Sequence, residues 1–82
     1  MSDESSIYDT NITGREMNFL YVSEGIDLTP QVIDDIKGIV GEKFTMIEYF
    51  PLVKLAFLWS TERLTDEELG KLNRLYGFYE VR

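Results

Sequence analysis

The side chains in this sequence that could do chemistry are almost all carboxylates, because its 82 residues include fifteen Asp and Glu but neither His nor Cys. The commonest general base and the commonest strong nucleophile of enzymes are therefore both missing. Glu62 and Asp66 could share acid–base work, but nothing around them predicts the enclosing cleft that would tune such a pair. We expect that the protein is not an enzyme.

The spacing of the carboxylates and glycines does not predict a metal or nucleotide site. Zinc would need carboxylates alone as ligands, which is rare. Asp34–Asp35 and Asp66–Glu68 lack the alternating spacing of a calcium-binding loop. Gly38 and Gly41 fall at the end of a predicted helix, whereas a phosphate loop needs its glycines at the start of one. We expect no metal and no cofactor.

The excess of carboxylates favours binding of a basic partner. With eight Lys and Arg, the chain carries a net charge of −7, which repels nucleic acid and anionic membranes and attracts cationic proteins. Asp66, Glu67 and Glu68 begin a predicted helix, where the helix dipole favours negative charge. Asp34 and Asp35 lie beyond the first turn of another predicted helix, where neither a cap nor the dipole accounts for them.

We predict two acidic patches that bind a partner. The first consists of Glu24, Asp27, Asp34 and Asp35, and the second of Glu62, Asp66 and Glu67. The alternative is that these residues form two solvated helix faces, which only keep a small protein soluble.

The change in composition near Gly14 predicts a flexible polar tail over residues 1–14 and one α+β domain over residues 15–82. The acidic start of the chain has no basic region leading into an apolar run, so we expect no secretory signal. The longest mainly apolar stretch, Tyr49–Trp59, is too short to cross a bilayer and is interrupted by Pro51. We expect a cytoplasmic protein that makes no membrane contact.

Two helices are predicted from their capping signals. Thr29 and Pro30 begin the first helix, and Gly41 ends it. Thr65 and Glu68 form a capping box at the start of the second. The apolar face expected for this second helix consists of Leu69, Leu72, Leu75 and Tyr76.

Four strands are predicted, over residues 17–23, 44–50, 53–60 and 78–81. The segment at Pro51–Leu52 is compatible with a tight hairpin or with a bend in one long strand. The order β-α-β-β-α-β resembles the ferredoxin-like split βαβ arrangement. That resemblance implies a four-stranded antiparallel sheet with two helices on one face.

Alternation along these strands separates two sets of side chains. The first set is mostly aliphatic and consists of Leu20, Val22, Ile47, Tyr49, Ala56, Leu58, Tyr79 and Val81. The second set is richer in aromatic residues and consists of Met17, Phe19, Tyr21, Phe44, Met46, Glu48, Phe50, Leu55, Phe57, Trp59, Phe78 and Glu80. Because a buried unpaired carboxylate is costly, we expect the second set to face away from the helices.

An aromatic stripe would then be exposed and would form a dimer or partner face. Its members are Phe19, Tyr21, Leu55, Phe57 and Trp59. If the two faces are exchanged, these residues belong to the core instead.

These features together favour a non-catalytic, acidic protein-binding domain that forms a homodimer through the aromatic stripe or a sheet edge. Its size, charge and lack of catalytic residues resemble those of the small DNA-mimic inhibitors that phages make against host proteins. The resemblance implies that it blocks a basic DNA- or RNA-binding protein and does not bind nucleic acid directly. Two alternatives are an RNA-binding module that stacks bases on Phe19, Tyr21 and Phe57, and an accessory subunit without charge mimicry.

Overall fold

Residues 6–8 and 17–81 are described by the computed structural model, and they fold into five strands and two helices. In chain order the elements are β1 (Ser6–Tyr8), β2 (Phe19–Glu24), α1 (Pro30–Val40), β3 (Phe44–Phe50), β4 (Leu55–Ser60), α2 (Asp66–Tyr76) and β5 (Tyr79–Val81). A single 3₁₀ turn, Gly41–Lys43, joins α1 to β3. The predicted α+β class is confirmed.

The strands form one antiparallel sheet in the order β1-β3-β4-β2-β5. Four of them correspond to the predicted strands. The fifth, β1, pairs with β3 and falls inside the segment that we predicted to be a flexible tail. The other residues of that segment up to Gly14 lie outside the described residues.

Both helices begin where their capping signals predict, and α1 ends before Gly41 as predicted. At the start of α1 the Thr29 hydroxyl accepts a hydrogen bond from the Val32 amide at 3.2 Å. At the start of α2 the Glu68 amide donates to the Thr65 hydroxyl at 3.1 Å, and the Thr65 amide donates to the Glu68 carboxylate at 2.9 Å. This reciprocal pair satisfies two amides that have no partner within the helix. Gly41 ends α1 with a positive φ of +67°, which glycine adopts more readily than other residues.

The connection between β3 and β4 is a four-residue turn over Pro51–Lys54. Lys54 has a φ of +54°, and its carbonyl accepts a hydrogen bond from the Gly25 amide at 2.8 Å. The predicted hairpin between the two strands is therefore confirmed, but its turn has four residues instead of two, and the bent single strand is wrong. Proline and leucine do not suit the primed turns of two-residue hairpins, and the longer turn avoids that conflict.

The core lies between the two helices and one face of the sheet, which we call the helix face. Its sheet residues are Tyr21, Ser23, Ile47, Tyr49, Ala56 and Leu58. The helices contribute Ile33, Ile36, Val40 and Leu72. Leu75 does not join them as predicted, because its side chain is 59% exposed on the outer side of α2.

The pairing of the strands corrects our division of the sheet residues. In β3 and β4 the predicted sets are on the expected faces except for Phe44, which is 2% exposed and belongs to the core because the register shifts between Phe44 and Met46. In β2 and β5 the two sets are exchanged. Tyr21 lies opposite Leu58, so it shares the helix face with that core residue. Glu80 lies opposite Tyr21 and therefore also points to the helix side, where Arg63 pairs with its carboxylate at 3.1 Å. Our premise that Glu80 needs the open face was wrong because this edge residue has a cationic partner.

Candidate functional site: an acidic groove and an open sheet face

The face of the sheet opposite the helices carries a mainly apolar set of side chains, which we call the open face. Its described members are Leu20, Val22, Glu24, Met46, Glu48, Phe50, Leu55, Phe57, Trp59, Tyr79 and Val81. Phe57 lies on β4, the middle strand of the sheet, and is half-buried. Its ring meets the Phe50 ring edge to face, with the two centroids 5.4 Å apart.

Three of the five residues predicted for the aromatic stripe lie on this open face, namely Leu55, Phe57 and Trp59. The other two do not. Tyr21 is fully buried, and its hydroxyl accepts a hydrogen bond from the Leu64 amide at 2.9 Å. Phe19 is partly buried and packs against the core. This hydrogen bond compensates the Tyr21 hydroxyl for the water that it loses on burial.

Asp34 and Asp35 lie in a groove between α1 and α2. Neither a helix cap nor the helix dipole accounts for this acidic pair. Asp34 and Asp35 line this open groove of about 620 Å³ together with Gln31, Val32 and Tyr76. Both carboxylates are on exposed residues. The side chains around the groove supply carboxylate, amide and phenol oxygens, which are acceptors suited to the ammonium or guanidinium group of a partner.

One hydrogen bond joins α1 and α2 at the groove. The Tyr76 hydroxyl donates a hydrogen bond to Asp35 Oδ2 at 2.5 Å. This bond, together with partial burial of the phenol and the negative charge of Asp35, raises the pKa of Tyr76 to about 12. Asp35 therefore has a structural role that we did not predict, because it links the two helices across 41 positions of the chain.

The other residues of the first predicted patch lie elsewhere, so that patch is not one surface. Glu24 follows Ser23, whose hydroxyl donates to the Tyr76 carbonyl on the helix side, so the Glu24 side chain points to the open face. There the Tyr79 hydroxyl donates to Glu24 at 3.3 Å, and the pKa of Tyr79 is raised by partial burial and by that carboxylate. Asp27 forms an exposed ion pair with Lys54 at 3.0 Å.

The second predicted patch lies at the opposite end of the fold, where α2 begins. Glu62, Asp66 and Glu67 are all exposed there. The neighbouring Glu68 is different, because it pairs with Lys43 at 2.8 Å. Its pKa is lowered, chiefly by the hydrogen bond from Lys43 and then by that from the Thr65 amide.

Sequence reasoning missed three residues that line the groove. Gln31 and Val32 precede the acidic pair on α1, and Tyr76 is the last residue of α2. The apolar spacing of α2 placed Tyr76 among the buried residues, and its ring does pack against the core. The available signal was that a tyrosine hydroxyl at the border of a core needs a polar partner.

No protein-family model, curated protein or solved structure matches the chain. Within residues 6–8 and 17–81, no helix has the length and apolar character that crossing a membrane requires. The same described residues contain no group of three or more acidic side chains placed to hold a metal ion. Function must be inferred from the two surfaces themselves.

Proposed function

We propose that this protein is a non-catalytic binding domain whose acidic groove captures a basic nucleic-acid-binding protein and competes with that protein's nucleic acid. The observation that carries the proposal is the pair of exposed carboxylates, Asp34 and Asp35, in the groove between α1 and α2. The net charge of −7 adds a field that attracts cations to the whole surface.

The groove supports this proposal better than the sequence did, because it gives the two carboxylates a concave setting. An arginine or lysine side chain that enters it would meet Asp34 and the Asp35–Tyr76 pair at once. A carboxylate that already accepts one hydrogen bond keeps lone pairs for a second donor. The exposed acids Glu62, Asp66 and Glu67 lie at the other end of the fold and would act on the association rate through long-range attraction.

The alternative of an RNA-binding sheet is weaker in this fold. Modules of that kind stack bases on aromatic residues of the central strands. Phe19 and Tyr21 are on the helix side, and the open face of β2 carries the aliphatic Leu20 and Val22 in their place. On the two central strands β2 and β4, only two described aromatic residues lie on the open face, and both are on β4. Phe57 is in the middle of that strand and Trp59 is near its end, so the stacking surface would be small.

We further propose that the fold is of the ferredoxin-like type. The support is the order of the four main strands, β3-β4-β2-β5, with helices inserted after β2 and after β4. In this interpretation β1 is an addition at one edge of the sheet. Folds of this type have many unrelated functions, so the fold itself does not favour any partner.

A displacement experiment tests the function. Labelled duplex DNA is bound to a histone-like basic protein, this protein is added, and the release of DNA is followed by fluorescence anisotropy. We expect release of the DNA at low salt and weaker competition as salt rises, because exposed charges are screened. If the basic protein carries DNA and this protein at the same time, competition is excluded and the proposal is wrong.

Two double variants with the same net charge separate the groove from charge in general. Asp34→Asn with Asp35→Asn changes the groove, whereas Asp66→Asn with Glu67→Gln changes the start of α2, and each raises the net charge by about two units at neutral pH. We expect the groove variant to weaken binding at least about tenfold and the second to weaken it less than about threefold. Equal losses would show that only total charge matters and would contradict the groove as the site.

A further inference from the structure

We infer that the turn between β3 and β4 is a second contact for the basic protein, and that Leu52 and Val53 enter an apolar pocket beside that protein's cationic surface. This inference rests on the proposed function and adds the apolar part of the same interface. Leu52 and Val53 are 71% and 65% exposed, the highest values among the large apolar side chains that the structure describes. Apolar side chains that are exposed side by side mark contact surfaces more often than single ones do.

The turn holds these two side chains in a fixed position. The Val53 amide donates to the Phe50 carbonyl at 3.3 Å, which closes a β-turn. Pro51 is the second residue of this β-turn, where the fixed φ of proline fits. A turn that is already ordered loses little conformational freedom when a partner binds, so its contacts contribute more to affinity.

The last residue of the turn is strained and anchored. Lys54 has a φ of +54°, which residues other than glycine adopt at an energetic cost. Its carbonyl accepts hydrogen bonds from the amides of Gly25 at 2.8 Å and Ile26 at 3.1 Å, and its ammonium group pairs with Asp27 at 3.0 Å. The loop before α1 therefore maintains the strain, and maintained strain of this kind is concentrated at functional surfaces.

The turn and the acidic groove lie at the same end of the fold. β2 ends there, because Glu24 is opposite Leu55, the first residue of β4 after the turn. Tyr76 of the groove is at this end too, because its carbonyl accepts a hydrogen bond from the Ser23 hydroxyl. α1 begins after the short loop that follows β2, and a rise of about 1.5 Å per residue puts Asp34 about 6 Å from its start. A partner that covers about 800 Å² can therefore contact both the turn and the groove.

The charges at this end favour a basic protein over a membrane as the partner of the turn. Asp27 is exposed beside Lys54, and Asp34 and Asp35 are exposed on α1. Contact with lipid would remove water from these carboxylates without giving them cationic partners. A basic protein provides such partners, so we expect its apolar pocket to lie next to lysine or arginine residues.

Leu52→Gln with Val53→Thr, the turn variant, removes apolar surface and leaves the net charge at −7. Met17→Gln with Val81→Thr is the matched control, since these residues are 51% and 41% exposed at the opposite end of the sheet. Anisotropy titrations of the labelled histone-like protein at low and high salt measure the dissociation constants. The turn variant should weaken binding at least about tenfold, by the same factor at both salt concentrations, because apolar contacts are not screened. Equal losses in the turn variant and the control overturn the inference.

Asp34→Asn with Asp35→Asn separates this inference from the proposed function. Its loss of affinity should be large at low salt and should shrink as salt rises, because charges are screened. If this groove variant weakens binding and the turn variant does not, the groove remains the site and the inference is wrong. If the wild-type protein does not bind the basic protein, both are wrong.

Two further measurements complete the test. If the turn variant loses the circular dichroism of the wild type, Leu52→Gln alone replaces it and should weaken binding at least about threefold. Vesicles of phosphatidylcholine test the lipid alternative. If the wild-type protein sediments with them and the turn variant does not, the turn contacts lipid and the inference is overturned.

Discussion

At the scale of single residues, two tyrosines donate hydrogen bonds of different length to carboxylates at the surface. Tyr76 is partly buried and bonds Asp35 at 2.5 Å, joining α2 to α1. Tyr79 is on the exposed edge strand and bonds Glu24 at 3.3 Å. The shorter bond, which the less exposed phenol donates, should contribute more to stability.

We predict that Tyr76→Phe lowers the free energy of unfolding by about 1 kcal/mol at neutral pH. The pKa of Tyr76 is raised from its ordinary value of 10.0 to about 12 in the folded protein. The stabilising effect of the Tyr76 hydroxyl is therefore complete below pH 10.0 and is lost as the pH rises towards about 12. Urea denaturation at neutral pH and in this alkaline window should show the difference between wild type and variant shrinking.

Tyr79→Phe is the control for that experiment. It makes the same substitution at a similar contact, but the exposed position should limit the loss to less than about 0.5 kcal/mol. A loss equal to that of Tyr76→Phe would mean that the interhelical bond contributes nothing beyond an ordinary surface contact.

At the scale of elements, the two helix starts differ in how many amides they satisfy. At α1 the Thr29 side chain accepts one hydrogen bond, and Pro30 needs none because it has no amide hydrogen. At α2 the capping box satisfies two amides, and Lys43 holds the Glu68 carboxylate in place from the neighbouring 3₁₀ turn. The start of α2 is thus connected to the rest of the fold.

We predict that Thr65→Ala lowers the free energy of unfolding by about 1–1.5 kcal/mol and that Thr29→Ala lowers it by about 0.5 kcal/mol. The larger loss is expected because removing Thr65 Oγ1 leaves the Glu68 amide without its acceptor and disturbs the reciprocal bond. Chemical denaturation of both variants gives the comparison. Losses of the same size would show that the reciprocal bond and the contact with Lys43 add nothing.

At the scale of the whole molecule, the sheet separates the acidic groove from the mainly apolar open face. The acidic groove lies among the helices, and the open face is on the far side of the strands. Substitutions that are well separated and share no contacts usually have independent effects. The proposed binding of a basic partner and the homodimer that the sequence predicts through its aromatic residues should therefore be separable.

We predict that Phe57→Lys abolishes the dimer but changes binding of the basic protein by no more than about twofold. The double change of Asp34 and Asp35 to Asn should have the reverse effect. It should weaken binding of the basic protein and leave the dissociation constant of the dimer unchanged. Anisotropy titrations and sedimentation on these two variants, on wild type and on Leu75→Lys, a control at an exposed apolar residue of α2, measure both properties. If the dimer is needed for capture, Phe57→Lys will lose both.

The local signals of the sequence determined where both helices begin and where α1 ends. Thr65, Glu68 and Gly41 act on amides and carbonyls within about one helical turn, so no distant residue is needed to interpret them. Alternation likewise separated Ile47 and Leu58 from Phe57 and Trp59 correctly, because these residues lie on two strands that follow each other in the chain. The net charge of −7 also follows from the sequence alone.

Only the tertiary structure decided which side of β2 meets the helices. Alternation divides the residues of a strand between two faces. It does not show which of these faces continues the helix face of a partner strand that lies far away in the sequence. The pairing of Tyr21 with Leu58 settles this, and the Leu64 amide makes burial of the Tyr21 hydroxyl favourable. The groove arises in the same way, since Asp35 and Tyr76 meet only when α1 and α2 pack on one sheet.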